Sequence, residues 1–391
     1  MKLSQRVKQM AASATLAVSA AAAKRKAEGA DVISFGAGEP DFNTPANIRA
    51  AAQQAIEEGK TKYAKPASGI PEAKQAVLHK LAHENQLQYQ QEQVIITAGG
   101  KMTLALAIHA VIDPGDEVVI PKPYWVSYPE IVKMAGGKPV FAQGPAENDY
   151  KLRPQDLEDA LSDKTAIVIL NSPSNPSGVT YHPDEMRALT PVLEDRNLLV
   201  ISDEIYDRLL YGDQQTLSFA ATGPKAFDKT LTVNSASKTF AMTGWRIAYA
   251  AGPIDLIKAM SKIQSQTTSG AVTFNQSALV EALTGSRDAV EDMRREFEKR
   301  RDHMYRRLMY MPGVTCPKPT GAFYCFPNVS SHCAKRNLAG SVEFAGALLE
   351  EKDVAVVPGI AFGMDEHVRL SFATSMDQID KGLDRMTAFL A

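Results

Sequence analysis

Apolar and polar residues alternate along the chain in short strand-like runs that are separated by longer helical patterns. Runs rich in β-branched or small apolar residues predict strands at Val94–Thr97, 117–120, 139–142, 166–170, 198–202, 230–233 and 247–250. Several runs are apolar throughout, which is typical of a sheet covered on both faces. Helical patterns at 102–112, 124–135 and 183–196 lie between them. This order predicts an α/β fold with a mainly parallel sheet.

The pattern changes after a long charged stretch at 285–310, which predicts one connecting helix. Runs at 321–326, 354–357 and 367–372 predict strands of a smaller α+β unit, and a helix from 375 to the end completes it. A chain of 391 residues is long enough for two or three domains, so a cleft between domains is expected.

The chain carries 43 basic and 45 acidic residues, for a net charge of -2. This balance lacks the basic excess that neutralises nucleic-acid phosphates, so a small-molecule substrate is expected instead. The three cysteines, Cys316, Cys325 and Cys333, lack the paired spacing of a zinc site. We expect reduced thiols in a cytoplasmic protein.

The N-terminus begins with Lys2, Arg6 and Lys8, followed by a small-residue stretch at 11–23. A secretory or organellar targeting peptide is one interpretation. The stretch is mostly Ala and Ser, which favours an alanine-rich helix. No apolar run reaches the roughly 20 residues that span a bilayer, so no membrane segment is expected.

Ligands of open α/β sheets bind beyond the carboxyl ends of the strands, where four loops carry unusual chemistry. The first loop contains Gly99, Gly100 and Lys101 before a helix, which suits an anion such as phosphate, although an ordinary turn is the alternative. The second loop, 171–178, is dense in Asn, Pro, Ser and Gly and is either a plain turn or a means of fixing Asn175 as a hydrogen-bond donor.

The third loop begins with Asp203 at the end of an apolar run, followed by Tyr206. Asp203 could cap a helix, but a carboxylate in that position is costly unless a positive group meets it. The functional interpretation is an ion pair with a protonated ring nitrogen of a cofactor, with Tyr206 hydrogen-bonded to the same ring.

The fourth loop places Ser235, Ser237 and Lys238 a few residues before Arg246. Most lysines are solvated, but one that is partly desolvated near other cations loses its proton and can form a Schiff base. Ser235, Ser237 and Arg246 would suit the phosphate of the same ligand. Together the four loops require an aldehyde, a basic ring nitrogen, a ring oxygen and a phosphate, which is the chemistry of pyridoxal 5′-phosphate.

The motifs resemble those of a known family. Asn-Pro-x-Gly at 175–178, Asp-x-x-Tyr at 203–206, Ser-x-Ser-Lys at 235–238 and Gly-Trp-Arg at 244–246 resemble the fold-type I, class I/II aminotransferases. Four further segments, at 37–42, 60–63, 123–129 and 368–372, resemble the bacterial aspartate aminotransferase branch called subgroup Ib (Iβ). Eight motifs in order cover nearly the whole chain and make the resemblance specific.

The resemblance implies roles for the cofactor residues. Lys238 would hold pyridoxal phosphate as a Schiff base and then carry the proton as general base and acid. Asp203 would keep the pyridine nitrogen protonated. Asn175 and Tyr206 would hold the phenolic oxygen, and Trp125 would stack on the ring.

It also implies how substrate and subunits meet. Arg369 would grip the substrate α-carboxylate with a bidentate fork, helped by Gly38 and Asn175. Tyr63 would reach the phosphate in the neighbouring subunit, which implies a homodimer with shared active sites. Residues 45–300 would form the large cofactor domain, and residues 1–44 and 301–391 the small domain, which would close over substrate.

Three departures from the commoner family pattern have different weight. Ser177 in place of Thr and Ala248 in place of Gly are mild packing changes. Lys101 resembles the Ib group that meets a second substrate carboxylate and would favour aspartate and glutamate, unless it turns to solvent. Thr15 could line the same pocket, and members with a similar lysine and threonine also transaminate prephenate.

These features predict an aspartate aminotransferase that converts L-aspartate and 2-oxoglutarate to oxaloacetate and L-glutamate by a ping-pong mechanism. Kynurenine, alanine and aromatic aminotransferases remain alternatives, as do elimination lyases of the same fold. A cofactor-sensing module of a transcription regulator is another, but such proteins carry an added DNA-binding domain, for which we expect no room here. The presence of Lys238, Asp203 and Arg369 favours an active enzyme.

Overall fold

The computed structural model describes residues 1–4, 7–8, 10–11 and 14–391. Its main sheet has seven strands in the order β2-β8-β7-β6-β5-β3-β4. The strands are β2 (Val94–Thr97), β3 (Glu117–Lys122), β4 (Lys138–Gln143), β5 (Thr165–Asn171), β6 (Leu199–Asp203), β7 (Thr230–Ser235) and β8 (Ala248–Ala251). Neighbours from β4 to β7 are parallel, whereas β8 is antiparallel to both β7 and β2. The predicted mainly parallel α/β sheet is confirmed.

Helices cover the sheet and connect its strands. Up to the long connecting helix they are α1 (Ala14–Ala27), α2 (Ala46–Glu57), α3 (Pro71–Glu84), α4 (Gly100–Val111), α5 (Ser127–Ala135), α6 (Pro154–Glu158), α7 (Pro183–Ala188), α8 (Thr190–Leu193), α9 (Pro224–Asp228), α10 (Ala236–Thr239), α11 (Ile254–Thr267) and α12 (Thr273–Thr284). The long helix predicted at 285–310 is α13 (Asp288–Met309). It has acidic residues in its first turn and arginines in its last, which suits the helix dipole.

Two helical predictions need correction. The single helix predicted at 183–196 is wrong, because α7 and α8 are separate and Pro191 near the start of α8 cannot supply the N–H of a continuous helix. The helix predicted at 124–135 begins three residues later. The backbone N–H of Tyr124 instead donates to Phe362 O at 3.1 Å in another part of the chain.

Both faces of the main sheet are packed, as β5 shows. Ile167 and Ile169 pack in the core that includes α4, whereas Val168 and Leu170 pack on the opposite face with α7 and α8. This follows from the two-residue period of a strand, which sends successive side chains to opposite faces. An uninterrupted apolar run is therefore the correct sequence for this strand.

A smaller unit follows α13. It contains β9 (Tyr324–Cys325), α14 (Ser330–Lys335), α15 (Ser341–Lys352), β10 (Val354–Ala355), β11 (Val357–Pro358), β12 (Val368–Ser371) and α16 (Met376–Leu390). The early strand β1 (Ile33–Ser34) pairs with β10, and β11, β12 and β9 form an antiparallel sheet. The strand predicted at 354–357 is therefore wrong as a single strand, since β10 and β11 join different sheets. The strand predicted at 321–326 is shorter, with Ala322 at a φ of 54° before it.

The N-terminal alanine-rich segment is helical in α1, within the described residues. Arg6, part of the basic cluster noted in the sequence, lies outside the described residues. Among the helices that the structure describes, none is long and apolar enough to cross a membrane.

Candidate active site

A cavity of about 290 Å³ lies at the ends of β5 and β6 and beside α10, which follows β7. Its opposite wall comes from β9 and β12 of the smaller unit. The cavity brings together most residues predicted from the sequence: Thr15, Gly38, Gly100, Lys101, Trp125, Asn175, Asp203, Tyr206, Lys238 and Arg369. Residues separated by more than 300 positions thus face one space.

Other predicted residues are placed outside its wall. Gly99, Ser235, Ser237 and Arg246 adjoin the lining residues without being part of the lining itself. Tyr63 is 78% exposed and lies in a separate surface cavity together with residues 268–274.

Lys238 is presented to the cavity by the short helix α10. Strand β7 ends at Ser235, whose hydroxyl caps α10 by accepting from Ser237 N at 3.1 Å. The Lys238 ammonium donates to Gly38 O. Burial, with the nearby Arg369 and Arg246 guanidinium groups, lowers the pKa of Lys238 to about 8. An amine with this pKa is partly neutral near physiological pH and can act as a nucleophile or base.

Asp203 ends β6 and is only 5% exposed. The Tyr128 hydroxyl donates to its Oδ2 at 2.6 Å, and Ile205 N donates to its Oδ1 at 3.3 Å. Burial raises the pKa of Asp203 to about 6, and these two hydrogen bonds oppose that rise. A carboxylate desolvated in this way is a suitable partner for a protonated ring nitrogen.

Tyr128 was given no role from the sequence. It lies in the first turn of α5, three residues after Trp125, and the two rings meet edge to face with centroids 5.4 Å apart. The backbone N–H of Tyr128 donates to Trp125 O at 3.0 Å, which holds the two residues together just before the helix.

Arg369 is a buried cation without a carboxylate partner. It is 2% exposed, and no carboxylate among the described residues lies within 4.0 Å of it. Its NH1 donates to Asn175 Oδ1 at 3.0 Å and its NH2 to Gly36 O at 3.2 Å, while Nε finds no partner in the described part of the chain. Burial lowers the pKa of Arg369. An unpaired buried charge is costly, so this arginine is suited to an anionic ligand.

Tyr206 and Tyr324 face the same arginine. Their hydroxyl oxygens are 3.1 Å apart, and the Arg369 guanidinium carbon lies 4.4 Å from the Tyr324 ring centroid. The sequence predicted Tyr206 but assigned nothing to Tyr324, because the run at 321–326 reads only as a buried strand.

The glycine turn before α4 lies against another cation. Gly99 has a φ of 97°, and a Cβ built there would collide with the Arg246 guanidinium. Arg246 NH1 donates to Thr243 O at 2.9 Å. Burial and the nearby Arg246 also lower the pKa of Lys101. Close backbone, an arginine and a helix N-terminus make this end of the site suitable for a phosphate.

The charges of the lining fit a polyanionic cofactor and substrate. Lys101, Lys238 and Arg369 face the cavity with Asp203. The excess of positive charge suits anionic groups, and the single carboxylate of the lining suits a cationic ring nitrogen. Fold and cavity together define a class of enzyme, the α/β transferases that work through pyridoxal phosphate.

The comparisons with known proteins give the family. The model of the aminotransferase class I and II family matches residues 30–386, and the chain belongs to this family. It is therefore a pyridoxal-phosphate-dependent aminotransferase.

Individual relatives match over their full length. An aspartate aminotransferase of Geobacillus stearothermophilus is 46% identical over 390 residues, which cover 100% of this chain and 99% of that protein. A probable aspartate/prephenate aminotransferase of Rhizobium leguminosarum bv. phaseoli is 48% identical over 383 residues, or 96% of both proteins. Among solved structures, the aspartate aminotransferase of Thermus thermophilus with maleate superposes with a TM-score of 0.94 at 42% identity, over 100% of both chains.

Proposed function

We propose that this enzyme is an aspartate aminotransferase, which converts L-aspartate and 2-oxoglutarate to oxaloacetate and L-glutamate by a ping-pong mechanism. The observation that carries the proposal is a single cavity lined by two cations besides the central lysine, namely Arg369 and Lys101. Two cations suit the two carboxylates of aspartate. The names of relatives at 44–46% identity support the same substrate.

The proposed cofactor residues divide by the part of pyridoxal phosphate that each would hold. Asp203 would hold the proton at the pyridine nitrogen, and Trp125 would pack on the ring. Tyr206 and Asn175 would donate to the phenolic oxygen; the Asn175 amide is free to do so because its Oδ1 already accepts from Arg369. The phosphate would be held by Gly99, Gly100, the backbone of Lys101, Ser235, Ser237 and Arg246, with Tyr63 from a neighbouring subunit.

The bound cofactor supplies an electron sink for negative charge at the substrate Cα. The chain supplies the remaining chemistry. Lys238 would hold the cofactor through its Nζ and, once released, would take and return the proton at Cα. Its pKa of about 8 lets both the neutral and the charged form exist near neutral pH. Its Nζ donates to the backbone oxygen of Gly38, a residue that we place beside the substrate carboxylate.

Substrate is oriented by its carboxylates. Arg369 binds the α-carboxylate through NH1, NH2 or the unpaired Nε, with Gly38 and Asn175 beside it. Lys101 binds the second carboxylate. The Lys101 Nζ lies 5.1 Å from the centroid of the Trp125 ring. Because Trp125 also lines the cavity, this contact keeps the Lys101 ammonium at the cavity. Thr15 contributes to the same wall.

Tyr63 supports the proposed homodimer with shared active sites. An exposed tyrosine within one subunit, in the same surface cavity as the exposed Val272, is suited to an interface. We further propose that residues 45–300 form the large domain, and that residues 1–44 and 301–391 form a small domain that closes on substrate. The distribution of cavity residues across both parts supports such closure. Buried free thiols at Cys316, Cys325 and Cys333 support a reducing, cytoplasmic location.

A donor and acceptor panel tests the proposed activity. Purified holoenzyme is given aspartate, alanine, kynurenine or phenylalanine with 2-oxoglutarate, and glutamate with oxaloacetate or prephenate. Aspartate with 2-oxoglutarate should give the highest kcat/KM. Prephenate is the second candidate, because relatives at 48% and 45% identity carry that substrate in their names. A monocarboxylic donor that outperforms aspartate would overturn the assignment.

A further inference from the structure

Tyr324 contacts two residues with different proposed tasks. Its side chain is fully buried and lines the cavity. Its hydroxyl lies 3.1 Å from the hydroxyl of Tyr206, the proposed partner of the cofactor's phenolic oxygen. The face of its ring lies 4.4 Å from the Arg369 guanidinium, the proposed partner of the substrate carboxylate. A single phenol thus joins the cofactor side of the cavity to the substrate side.

The direction of the Tyr324–Tyr206 hydrogen bond follows from the acceptors available. If Tyr206 donates its proton to the phenolic oxygen, its own oxygen can only accept from Tyr324. Among the described residues, the Tyr324 hydroxyl has no other hydrogen-bond partner than Tyr206. The chain of donors then runs from Tyr324 through Tyr206 to the cofactor. A hydroxyl that accepts a hydrogen bond becomes a stronger donor itself.

Arg369 controls the strength of the first donor. Burial raises the pKa of Tyr324, and the Arg369 charge, 4.4 Å from the centre of its ring, opposes that rise and so favours donation from Tyr324 to Tyr206. A carboxylate bound to Arg369 offsets this charge and weakens the effect. Besides Arg369, the charged group that acts on the tyrosine pair is Asp203, and Lys238 lines the same cavity.

We propose that Tyr324 is a positioning residue that transmits the occupancy of Arg369 by a carboxylate to the hydroxyl of Tyr206. This inference rests on the proposed function, because it takes the roles of Arg369 and Tyr206 from there. It adds a second connection beside the direct one, in which Arg369 NH1 donates to Asn175 Oδ1 at 3.0 Å.

The test uses Tyr324→Phe, which keeps the ring below Arg369 and removes the hydroxyl. Tyr211→Phe is the matched control: Tyr211 is also a buried tyrosine, its hydroxyl donates to Ala322 O, and its ring faces Arg301 at 4.9 Å. The readout is the pH titration of the cofactor's absorbance in each purified holoenzyme, first alone and then with saturating maleate, a dicarboxylate that carries no amino group.

Loss of the Tyr324 donor should weaken the hydrogen bond from Tyr206 to the deprotonated phenolic oxygen. The ligand-free absorbance pKa should therefore rise by about 0.2–0.6 pH unit, the effect of a 10–30% change in a charge-assisted hydrogen bond. The shift that maleate causes should become smaller than in the wild type. Tyr211→Phe should titrate like the wild type in both conditions.

Superimposed titrations of Tyr324→Phe and wild type, with and without maleate, would overturn the inference. An equal shift in Tyr211→Phe would overturn it too, because it would show a general effect of removing a buried hydroxyl. Failure of the proposed function looks different: the wild type would then not turn over aspartate, whereas failure of this inference leaves wild-type turnover intact.

Discussion

Two groups of charges lie around segment 203–208 and differ in how they are paired. The first, the rear cluster, consists of Lys80, Glu84, Glu204, Asp207, Arg208 and Arg287. The second comprises the charges of the active-site cavity: Lys101, Asp203, Lys238 and Arg369. Asp203 and Tyr206 of the segment face the cavity, and Glu204, Asp207 and Arg208 belong to the rear cluster.

Every charge of the rear cluster meets a partner. Lys80 is 3% exposed, forms an ion pair with Asp207 and donates to Asn85 Oδ1 at 2.7 Å. Glu84 binds the guanidinium groups of Arg208 and Arg287. Glu204 accepts from Ser202, Ser218 and Asn85 at 2.6–2.9 Å, although burial raises its pKa to about 7. This cluster fixes α3 to the turn that carries Tyr206.

The cavity charges are left open. None of Lys101, Lys238 and Arg369 has a carboxylate within 4.0 Å among the described residues. Charged side chains therefore have different roles in the two places. Paired charges contribute to the stability of the fold, and unpaired charges are available to bind a ligand. The predictions below separate the two by their effects on activity and on stability.

The largest effect is expected for Arg369→Gln. Loss of a bidentate, charge-assisted contact to the α-carboxylate should lower kcat/KM for aspartate by roughly 10²–10⁴-fold. The free energy of unfolding of the apoprotein should change by no more than about 1 kcal/mol, because the lost charge had no ion pair. Steady-state kinetics and urea unfolding measure the two quantities. If Arg369→Gln lost much stability and little activity, Arg369 would be a structural charge like those of the rear cluster, and the account would be contradicted.

Lys80→Met should show the opposite behaviour. It removes the ion-pair partner of Asp207, whose carboxylate is mostly buried, so the free energy of unfolding should fall by about 3–5 kcal/mol. Urea unfolding of the apoprotein measures it. Lys74→Met is the matched control, since Lys74 is a buried lysine of the same helix that donates only a 3.4 Å hydrogen bond to Gln91 O in the described structure. Equal losses in both variants would contradict the account.

Lys101→Met should change substrate preference. The kcat/KM for aspartate should fall by roughly 10–100-fold, the value of one charge-assisted contact, while activity with alanine should stay nearly constant. Lys133→Met is the control, because Lys133 lies on the nearby α5 and pairs with Glu130 at 2.9 Å. Parallel losses for aspartate and alanine would remove Lys101 from substrate selection.

The smallest effect is the pH dependence that Lys238 gives to the apoprotein. Its pKa is lowered from the ordinary 10.5 to about 8, so the folded state binds fewer protons than the unfolded state between these values. Stability should therefore rise with pH from 8 to 10.5 relative to Lys238→Met, by roughly 1–2 kcal/mol after solvent screening. Urea unfolding at pH 8 and pH 10 measures this difference. A constant difference between the two pH values would be inconsistent with the lowered pKa.

Local patterns were sufficient to predict much of this molecule. The apolar run before Asp203 predicted a buried strand at 198–202, which differs from β6 by one residue at each end. The family resemblance then supplied the partners of Lys238. Pro191, in the first turn of α8, was a readable sign of a new helix start, but the helical periodicity of 183–196 was given more weight. The short apolar sequence of β8 did not indicate that this strand is antiparallel to its neighbours β7 and β2.

Long-range contacts could not be predicted in the same way. The Tyr128 bond to Asp203 and the Tyr324 contact with Arg369 join residues that are 75 and 45 positions apart in the chain. Nothing in their own segments distinguishes them from ordinary buried tyrosines. Lys80 could not be recognised as a buried lysine either, because its ion-pair partner Asp207 is 127 positions away in the chain.

The role of Lys238 is the central claim, and covalent mapping tests it most directly. The holoenzyme is treated with borohydride, which reduces the bond between the lysine nitrogen and the cofactor aldehyde carbon to a stable amine, and the digested protein is analysed by mass spectrometry. The account predicts a cofactor-bearing peptide that contains Lys238. Attachment at Lys101, the other lysine of the cavity, or at no lysine would contradict it.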